Sequence, residues 1–95
     1  MNVEFTPQAR DDLAAIRDWI AVDDPRAAER VVSRIVQTAM MFGQFPMLGR
    51  VGQVEGTREF SVVGLSYLIV YAITSATEVD ILTVLHTRRS YPPLA

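Results

Sequence analysis

The sequence predicts an α+β fold in which a strand and two helices precede three antiparallel strands. Two helix starts are indicated, because a capping residue is followed by proline at Thr6-Pro7 and again at Asp24-Pro25. Two long apolar segments, residues 67–73 and 79–89, indicate adjacent strands. With 95 residues and no internal repeat, the chain is expected to form one domain spanning residues 1–95.

The first predicted strand is short and is followed directly by a helix. Val3 and Phe5 alternate with polar neighbours, which is the pattern of a strand with one buried face. Thr6 can cap the free N–H groups of the helix, which is expected to run to about Val22. Its apolar residues recur with helical spacing on one face, and they are Ala9, Leu13, Ile16 and Ile20.

The second predicted helix begins at Pro25 and ends near Gly43. Because the link between the two helices is very short, they are expected to form an antiparallel hairpin. The apolar stripe of this helix consists of Ala28, Val31, Val32, Ile35, Ala39 and Phe42. We expect the helices to pack through Leu13, Ile16, Ile20, Val31, Ile35 and Ala39.

Residues 43–56 are rich in glycine and proline and indicate a loop, after which three strands form a meander. The first spans residues 57–63, with Phe60 and Val62 on one face. In the last strand, strict alternation places Val79, Ile81, Thr83 and Leu85 on one face and Leu82 and Val84 on the other. The last two predicted strands are apolar on both faces, whereas the two helices can cover only one face of the sheet. The second face, or the edge of the sheet, is therefore expected to be completed by another polypeptide.

Composition excludes several kinds of site. The chain has no cysteine and one histidine, so neither a disulfide framework nor a metal centre is expected, and no cofactor motif is present. Met1 leads into a polar strand, and no apolar segment approaches the length of a membrane span. We expect a cytoplasmic protein that makes no membrane contact.

The charge pattern argues against a nucleic-acid-binding surface. All nine basic residues are arginines, and eleven carboxylates give a net charge of −2. The helix arginines are interleaved with aspartates and glutamates, which favours a solvated, salt-bridged helix surface. Direct sequence-specific DNA binding by this chain alone is not expected.

A group of basic and aromatic residues remains that could carry chemistry. In a metal-free nuclease, a histidine or tyrosine would act as general acid or base, and arginines would hold the phosphate. The alternative for His86 is a local hydrogen bond at the end of the strand. Tyr67 is either a core residue or a stacking surface, and Trp19 is either half-buried at the hairpin edge or an interface anchor. The candidate residues are Arg50, Arg58, His86, Arg88, Arg89 and Tyr91.

Several segments, in this order and spacing, resemble the RelE/ParE toxin superfamily of bacterial type II toxin–antitoxin modules. The resemblance extends from about Val3 to Tyr91, and the helical hairpin is similar to that of the ParE branch. The segments that carry it are FTPQARDDLAAIRDWI, DPRAAERVV, FPMLGR, REFSV, YLIVYAI and ILTVLHTRR. Thr87 stands where ParE-like endings commonly have glycine.

The resemblance implies one of two activities. ParE-like members inhibit DNA gyrase without being nucleases, whereas RelE-like members cleave messenger RNA on the ribosome. The absence of lysine and the negative net charge favour the ParE-like activity, which is not catalytic. In the RelE-like alternative, the catalytic residues would be His86, Arg58, Arg88 and Tyr91. A third possibility is a non-toxic member that only binds its antitoxin or helps to repress its operon.

The resemblance also implies which partners the chain has. A ParD-like antitoxin would wrap the toxin and supply the missing cover, and its expected contacts are Trp19, Phe42, Leu48 and Tyr67. DNA gyrase would be the target, and the residues expected to bind it are Arg50, Arg58, His86, Arg88 and Arg89.

Overall fold

The computed structural model describes residues 1–88, which form two helices packed on one face of a five-stranded mixed sheet. The predicted α+β class is confirmed. The helices are α1 (Pro7–Ala21) and α2 (Pro25–Met40). The strands are β1 (Asn2–Phe5), β2 (Arg50–Val51), β3 (Arg58–Ser61), β4 (Tyr67–Ile73) and β5 (Glu78–His86).

Both predicted helix caps are present. The Thr6 hydroxyl accepts a hydrogen bond from the Ala9 N–H at 3.2 Å, and the Asp24 carboxylate accepts one from the Ala27 N–H at 3.1 Å. Each cap satisfies an N–H group that has no partner within its helix. Both helices therefore begin where the local sequence signals predicted, whereas α2 ends at Met40 and is followed by a 3-10 turn, Met41–Gly43.

The core lies between the helical hairpin and the sheet. Ile35 and Ala39 of α2 are completely buried, and Leu13, Ile16 and Val31 pack against them. Ile20 is half-buried and lies beside a groove instead of joining this cluster. Three aromatic rings close the end of the core, since Phe42 stacks on Tyr71 with centroids 4.0 Å apart and meets Phe60 edge-on.

The strand order is β1-β5-β4-β3-β2. β1 lies at one edge and runs parallel to β5, pairing residues 2–5 with 78–81. β2 lies at the other edge and pairs with β3. The predicted loop at 43–56 therefore contains a short strand, and the antiparallel part of the sheet has four strands instead of three. A strand of two residues is too short to show a periodic pattern, so β2 could not be predicted from the sequence.

A β-bulge in β5 overturns the predicted alternation of its side chains. Val70 pairs with Thr83, but the next residue, Tyr71, pairs with Ile81, so that Leu82 is left without a partner in β4. One extra residue inverts the faces of everything after it. Val84 consequently joins the core with Val79 and Ile81, and Leu85 lies on the opposite face.

The expected uncovered apolar sheet face is present only in part among the described residues, since Leu68 and Ala72 on that face are half-buried. On the face away from the helices, Val70 and Leu85 are buried, and polar Glu59 and Asp80 interrupt the apolar residues. The strongly exposed large apolar side chains lie outside β4 and β5, and they are Trp19, Val22, Met40, Met41, Phe45, Met47, Val51 and Val63. Exposed apolar surface is thus concentrated on the helical hairpin and on the segment after α2.

Neither helix within residues 1–88 is long and apolar enough to cross a bilayer.

Replacing Ile35 by aspartate is expected to unfold the domain, because it buries an unpaired carboxylate among apolar side chains. Ser33→Asp is the matched control, since Ser33 lies on the exposed side of the same helix. Circular dichroism during thermal unfolding should show a cooperative transition for Ser33→Asp and none for Ile35→Asp. A cooperative transition at the wild-type midpoint for Ile35→Asp would contradict this packing.

Candidate functional site

A groove with a volume of about 540 Å³ lies between α1 and the C-terminal half of β5. Its walls are mostly apolar, and its aromatic and basic residues come from three elements and the end of the described chain. The lining residues are Asp12, Ala15, Ile16, Trp19, Ile20, Tyr67, Val84, His86 and Arg88. Mostly apolar walls with a few polar groups are typical of a binding site.

The free edge of β5 forms one side of this groove. β1 pairs with β5 only as far as Ile81, so no strand lies beside residues 82–86 on that side. Asp12 of α1 takes the place of a strand there: its carboxylate accepts the Val84 N–H at 3.0 Å and the Thr83 hydroxyl. The Thr6 hydroxyl donates to the Leu82 carbonyl at 3.0 Å. These bonds join the start of α1 to the bulge.

His86 lies in the groove because of the bulge. It pairs with Tyr67 and shares the helix-facing side of the sheet with Val84, whereas strict alternation from Val79 would place it on the other side. The Tyr67 and His86 rings meet edge-to-face, with centroids 5.4 Å apart. The imidazole Nδ1 accepts the Arg88 N–H at 3.1 Å, so the predicted local hydrogen bond is present. In the neutral ring, that bond assigns the proton to Nε2.

Trp19 is the most exposed aromatic side chain of the groove. It lies on α1 with 79 % of its surface accessible, beside Ile16 and Ile20. Interface hot spots are enriched in tryptophan, and an exposed tryptophan among apolar neighbours is typical of such a site. The structure thus brings together Trp19 and Tyr67, both predicted to bind the antitoxin, and places them beside His86 and Arg88, which were predicted to bind the target.

The other predicted target-binding residues lie elsewhere. Arg58 pairs with Tyr71, which is four residues along β4 from Tyr67, the partner of His86. Strand geometry puts roughly 13 Å along the strand and about 10 Å across the sheet between Arg58 and His86. The Arg58 guanidinium donates to the Gly49 carbonyl. A catalytic group containing both His86 and Arg58 is therefore not assembled.

Arg50 lies at the same end of the sheet as Arg58. Its guanidinium is 3.3 Å from the carboxylate of Glu59, which is buried and also accepts the Gln53 N–H at 2.9 Å. Arg50 and Arg58 thus fix the segment between α2 and β3, and they form a second basic region distinct from His86 and Arg88.

Two of the predicted antitoxin contacts do not line the groove. Phe42 has no accessible surface, because its ring is enclosed by Tyr71 and Phe60. In this structure its side chain therefore cannot contact a partner. The sequence assigned it to a surface because its spacing did not distinguish a core position from an interface position. Leu48 is 39 % exposed on the segment after α2. Arg89 and Tyr91 lie outside the described residues.

The helix surface is less extensively salt-bridged than predicted. Within residues 1–88, Arg17 of α1 pairs with Glu29 of α2 at 3.3 Å, and both side chains are well exposed. Arg34 donates instead to the Val63 carbonyl at 2.9 Å. No group of three potential metal ligands exists in this part of the chain.

Asp12 is a groove residue that sequence reasoning did not single out, and Ile20 is one that it assigned to the packing of the helices instead. The available signal was the helical spacing of Asp12, Ile16 and Trp19, which places a carboxylate on the apolar side of α1. A carboxylate in that position requires hydrogen-bond donors, and β5 supplies them.

Sequence comparison connects this geometry to known proteins. The profile of the family described as "ParE toxin of type II toxin-antitoxin system, parDE" matches residues 3–91. This chain belongs to the ParE toxin family. A Sinorhizobium fredii protein named as a candidate toxin, Y4kP, is 37 % identical over 91 residues, which cover 96 % of this chain and 93 % of the relative. Toxin RelE3 of Caulobacter vibrioides is 39 % identical over 49 residues, covering 52 % of this ParE-family chain and 53 % of that protein.

Solved structures show the same fold. A chain of the chromosomal ParDE toxin–antitoxin system from P. aeruginosa has a TM-score of 0.82, is 23 % identical, and covers 93 % of this chain and 97 % of its own. A chain of the RelBE2 toxin–antitoxin complex from Mycobacterium tuberculosis has a TM-score of 0.65 and is 28 % identical. The match covers 90 % of this chain and 95 % of the RelBE2 chain. The resemblance read from the sequence is confirmed at the level of superfamily and fold.

Asp12→Ala is expected to destabilise this ParE-family toxin by about 1–3 kcal/mol, because it leaves the Val84 N–H and the Thr83 hydroxyl without their acceptor. Asp11→Ala is the matched control, since Asp11 is exposed on the same helix. Denaturant unfolding measures both free energies. Equal losses in the two variants would show that Asp12 does not hold α1 to the edge of β5.

Proposed function

We propose that this ParE-family chain is a cytoplasmic toxin that inhibits DNA gyrase by binding it, and that a ParD-like antitoxin neutralises it by filling the groove. The observation that carries the proposal is the composition of the groove. Exposed apolar and aromatic side chains lie in it next to the basic residues His86 and Arg88.

The apolar wall of the groove supports an antitoxin segment as its occupant. Trp19 is largely exposed, Ile16, Ile20 and Tyr67 are half-buried, and covering them would release water from apolar surface. The groove extends along more than two turns of α1, from Asp12 to Trp19 and Ile20 at its far end. An amphipathic segment that folds on binding suits such a surface. The similar ParDE and RelBE2 structures come from toxin–antitoxin systems, which is consistent with a partner of this kind.

Neutralisation follows from the shared location of the two sets of residues. A segment that covers Trp19 and Tyr67 also covers His86, because the rings of Tyr67 and His86 are in contact. Arg88 lines the same groove. If the target needs His86 and Arg88, the antitoxin and the target compete for one surface.

Gyrase is favoured over the ribosome by charge and by geometry. The chain has no lysine and a net charge of −2, whereas a protein that acts on ribosome-bound RNA benefits from positive charge. Arg58, one of the two arginines that the nuclease alternative assigns to catalysis, lies at the other end of the sheet from His86. His86 also uses Nδ1 in a local bond, which leaves only Nε2 for proton transfer.

A RelE-like ribonuclease is the second candidate, and one observation favours it. His86 and Arg88 lie together in an open groove beside Tyr67, so a general acid or base and a phosphate-binding group could act from one place. The similarity to the RelBE2 complex and to toxin RelE3 is consistent with this activity.

Substitutions in the groove should separate the two activities. We expect wild-type toxin to inhibit supercoiling by purified gyrase and to leave messenger RNA intact in a translation extract. Arg88→Glu should weaken inhibition about tenfold or more, because it reverses a charge at the binding surface. His86→Ala should cause a smaller loss. Arg10→Glu reverses the charge of another exposed arginine, on α1 outside the groove, and as the control it should inhibit like wild type.

The opposite outcome is equally defined. Ribosome-dependent cleavage by the wild type that falls ~10²–10⁴-fold in His86→Ala would replace gyrase inhibition with the ribonuclease mechanism. A wild type that neither inhibits nor cleaves, yet binds its antitoxin, would identify a non-toxic family member.

A further inference from the structure

A second exposed apolar surface lies on the segment that follows α2, outside the groove. We call it the 40–51 surface, and it includes Met40, Met41, Phe45, Met47, Leu48 and Val51. Phe45, Met47 and Val51 are 56 %, 66 % and 75 % exposed. Large apolar residues grouped in one short segment mark an interaction site more often than single exposed residues do.

Buried hydrogen bonds hold this segment in one conformation. The Tyr71 hydroxyl donates to the Pro46 carbonyl at 2.7 Å and accepts the Gly49 N–H at 2.8 Å. Burial raises the pKa of Tyr71, while the bond from Gly49 and the charge of Arg58 act in the opposite direction. The phenol therefore stays protonated and keeps donating at neutral pH.

Gly49 allows the segment to approach the sheet this closely. A Cβ at this position would lie 2.8 Å from the Glu59 carbonyl oxygen and 2.8 Å from the Tyr71 hydroxyl. Arg58 donates to the Gly49 carbonyl, and a turn is closed by the Leu48 N–H, which donates to the Phe45 carbonyl at 3.0 Å. The backbone of the segment is thus bonded inward.

The side chains of Phe45 and Met47 contribute little to the fold, since most of their surface is in water. A rigid backbone that presents apolar side chains outward has already lost the conformational entropy that binding would otherwise remove. Met40, Met41 and Met47 add flexible side chains that adapt to the surface of a partner. This is the construction of a preorganised docking surface.

The distribution of charge indicates the chemistry of the partner. Residues 40–51 contain no carboxylate and one arginine, Arg50, whose side chain is 70 % exposed and whose guanidinium is 3.3 Å from the carboxylate of Glu59. Arg58 adds a positive charge against Gly49, and the carboxylate of Glu59 is buried. An acidic protein surface bearing apolar residues is complementary to this region.

We propose that the 40–51 surface is a second docking site for the target of the toxin, contacted through an acidic and apolar protein surface of that target. The inference rests on the proposed function for the identity of the target as gyrase. It assigns Leu48, which the sequence placed with the antitoxin, to the target instead. The groove stays shared between antitoxin and target, whereas the 40–51 surface contacts the target alone, so the two surfaces are separable by mutation.

The test compares Met47→Glu with Val63→Glu in the full-length toxin purified from its antitoxin complex. Met47 and Val63 are 66 % and 70 % exposed, but Val63 lies between β3 and β4, outside the 40–51 surface. We expect Met47→Glu to raise the concentration needed for half-inhibition of gyrase about tenfold or more. Met47→Leu should retain inhibition, and Val63→Glu should behave like wild type. Affinity for the antitoxin and the melting temperature should be unchanged in all three.

Each other outcome overturns the inference in a recognisable way. Wild-type inhibition by Met47→Glu would show that the target does not touch this surface. A selective loss of antitoxin affinity would assign the surface to the antitoxin, and a change in mass by light scattering would assign it to a second copy of the chain.

Growth arrest on expression separates this inference from the proposed target. If the wild type arrests growth without inhibiting gyrase, the proposed target is wrong. Loss of arrest in Met47→Glu but not in Val63→Glu would then still support the docking surface. Arrest by both of these variants, or by neither, would overturn it.

Discussion

The hydrogen bonds that join α1 to the bulge in β5 are the interaction on which the groove depends. Asp12 and Thr6 supply partners for Thr83, Val84 and Leu82, where β1 has ended and no strand continues. They cover an open sheet edge, which is otherwise a template for unwanted pairing. Because Leu82 is the extra residue, every later side chain of β5 changes face. That inversion brings His86 into contact with Tyr67 on the side where α1 lies.

The two ends of the sheet have different roles in this account. At the groove, apolar side chains of α1 stay accessible because the sheet ends short of covering them, as the exposure of Trp19 shows. At the opposite end, Tyr71 and Glu59 bond inward to the segment after α2 and fix it. One end is thus an open groove, and the other is a rigid projecting segment. In this account the antitoxin and the target compete for the groove, and the target alone contacts the projecting segment.

Local features of the fold could be predicted from the sequence, and features that depend on distant residues could not. Thr6 and Asp24 cap helices through bonds that reach only three residues along the chain. The bulge depends on contacts such as that of Asp12 with Thr83, which are 71 residues apart, and no periodicity encodes it. Trp19, Tyr67, His86 and Arg88 were recognised as candidates by residue type. Their distance from Arg58 could not be predicted without knowing how the strands pair. The burial of Phe42 could not be predicted without knowing that the ring of Tyr71 stacks on it.

The fluorescence of Trp19 tests the central claim most directly, because it is the one tryptophan of the chain and lies in the groove. The toxin is titrated with a tryptophan-free segment of the proposed ParD-like antitoxin, and binding is followed independently by calorimetry. Occupation of the groove predicts a blue-shifted emission and protection from acrylamide quenching, both saturating with the calorimetric curve. Saturable binding that leaves the emission and the quenching of Trp19 unchanged would place the antitoxin elsewhere and contradict the account.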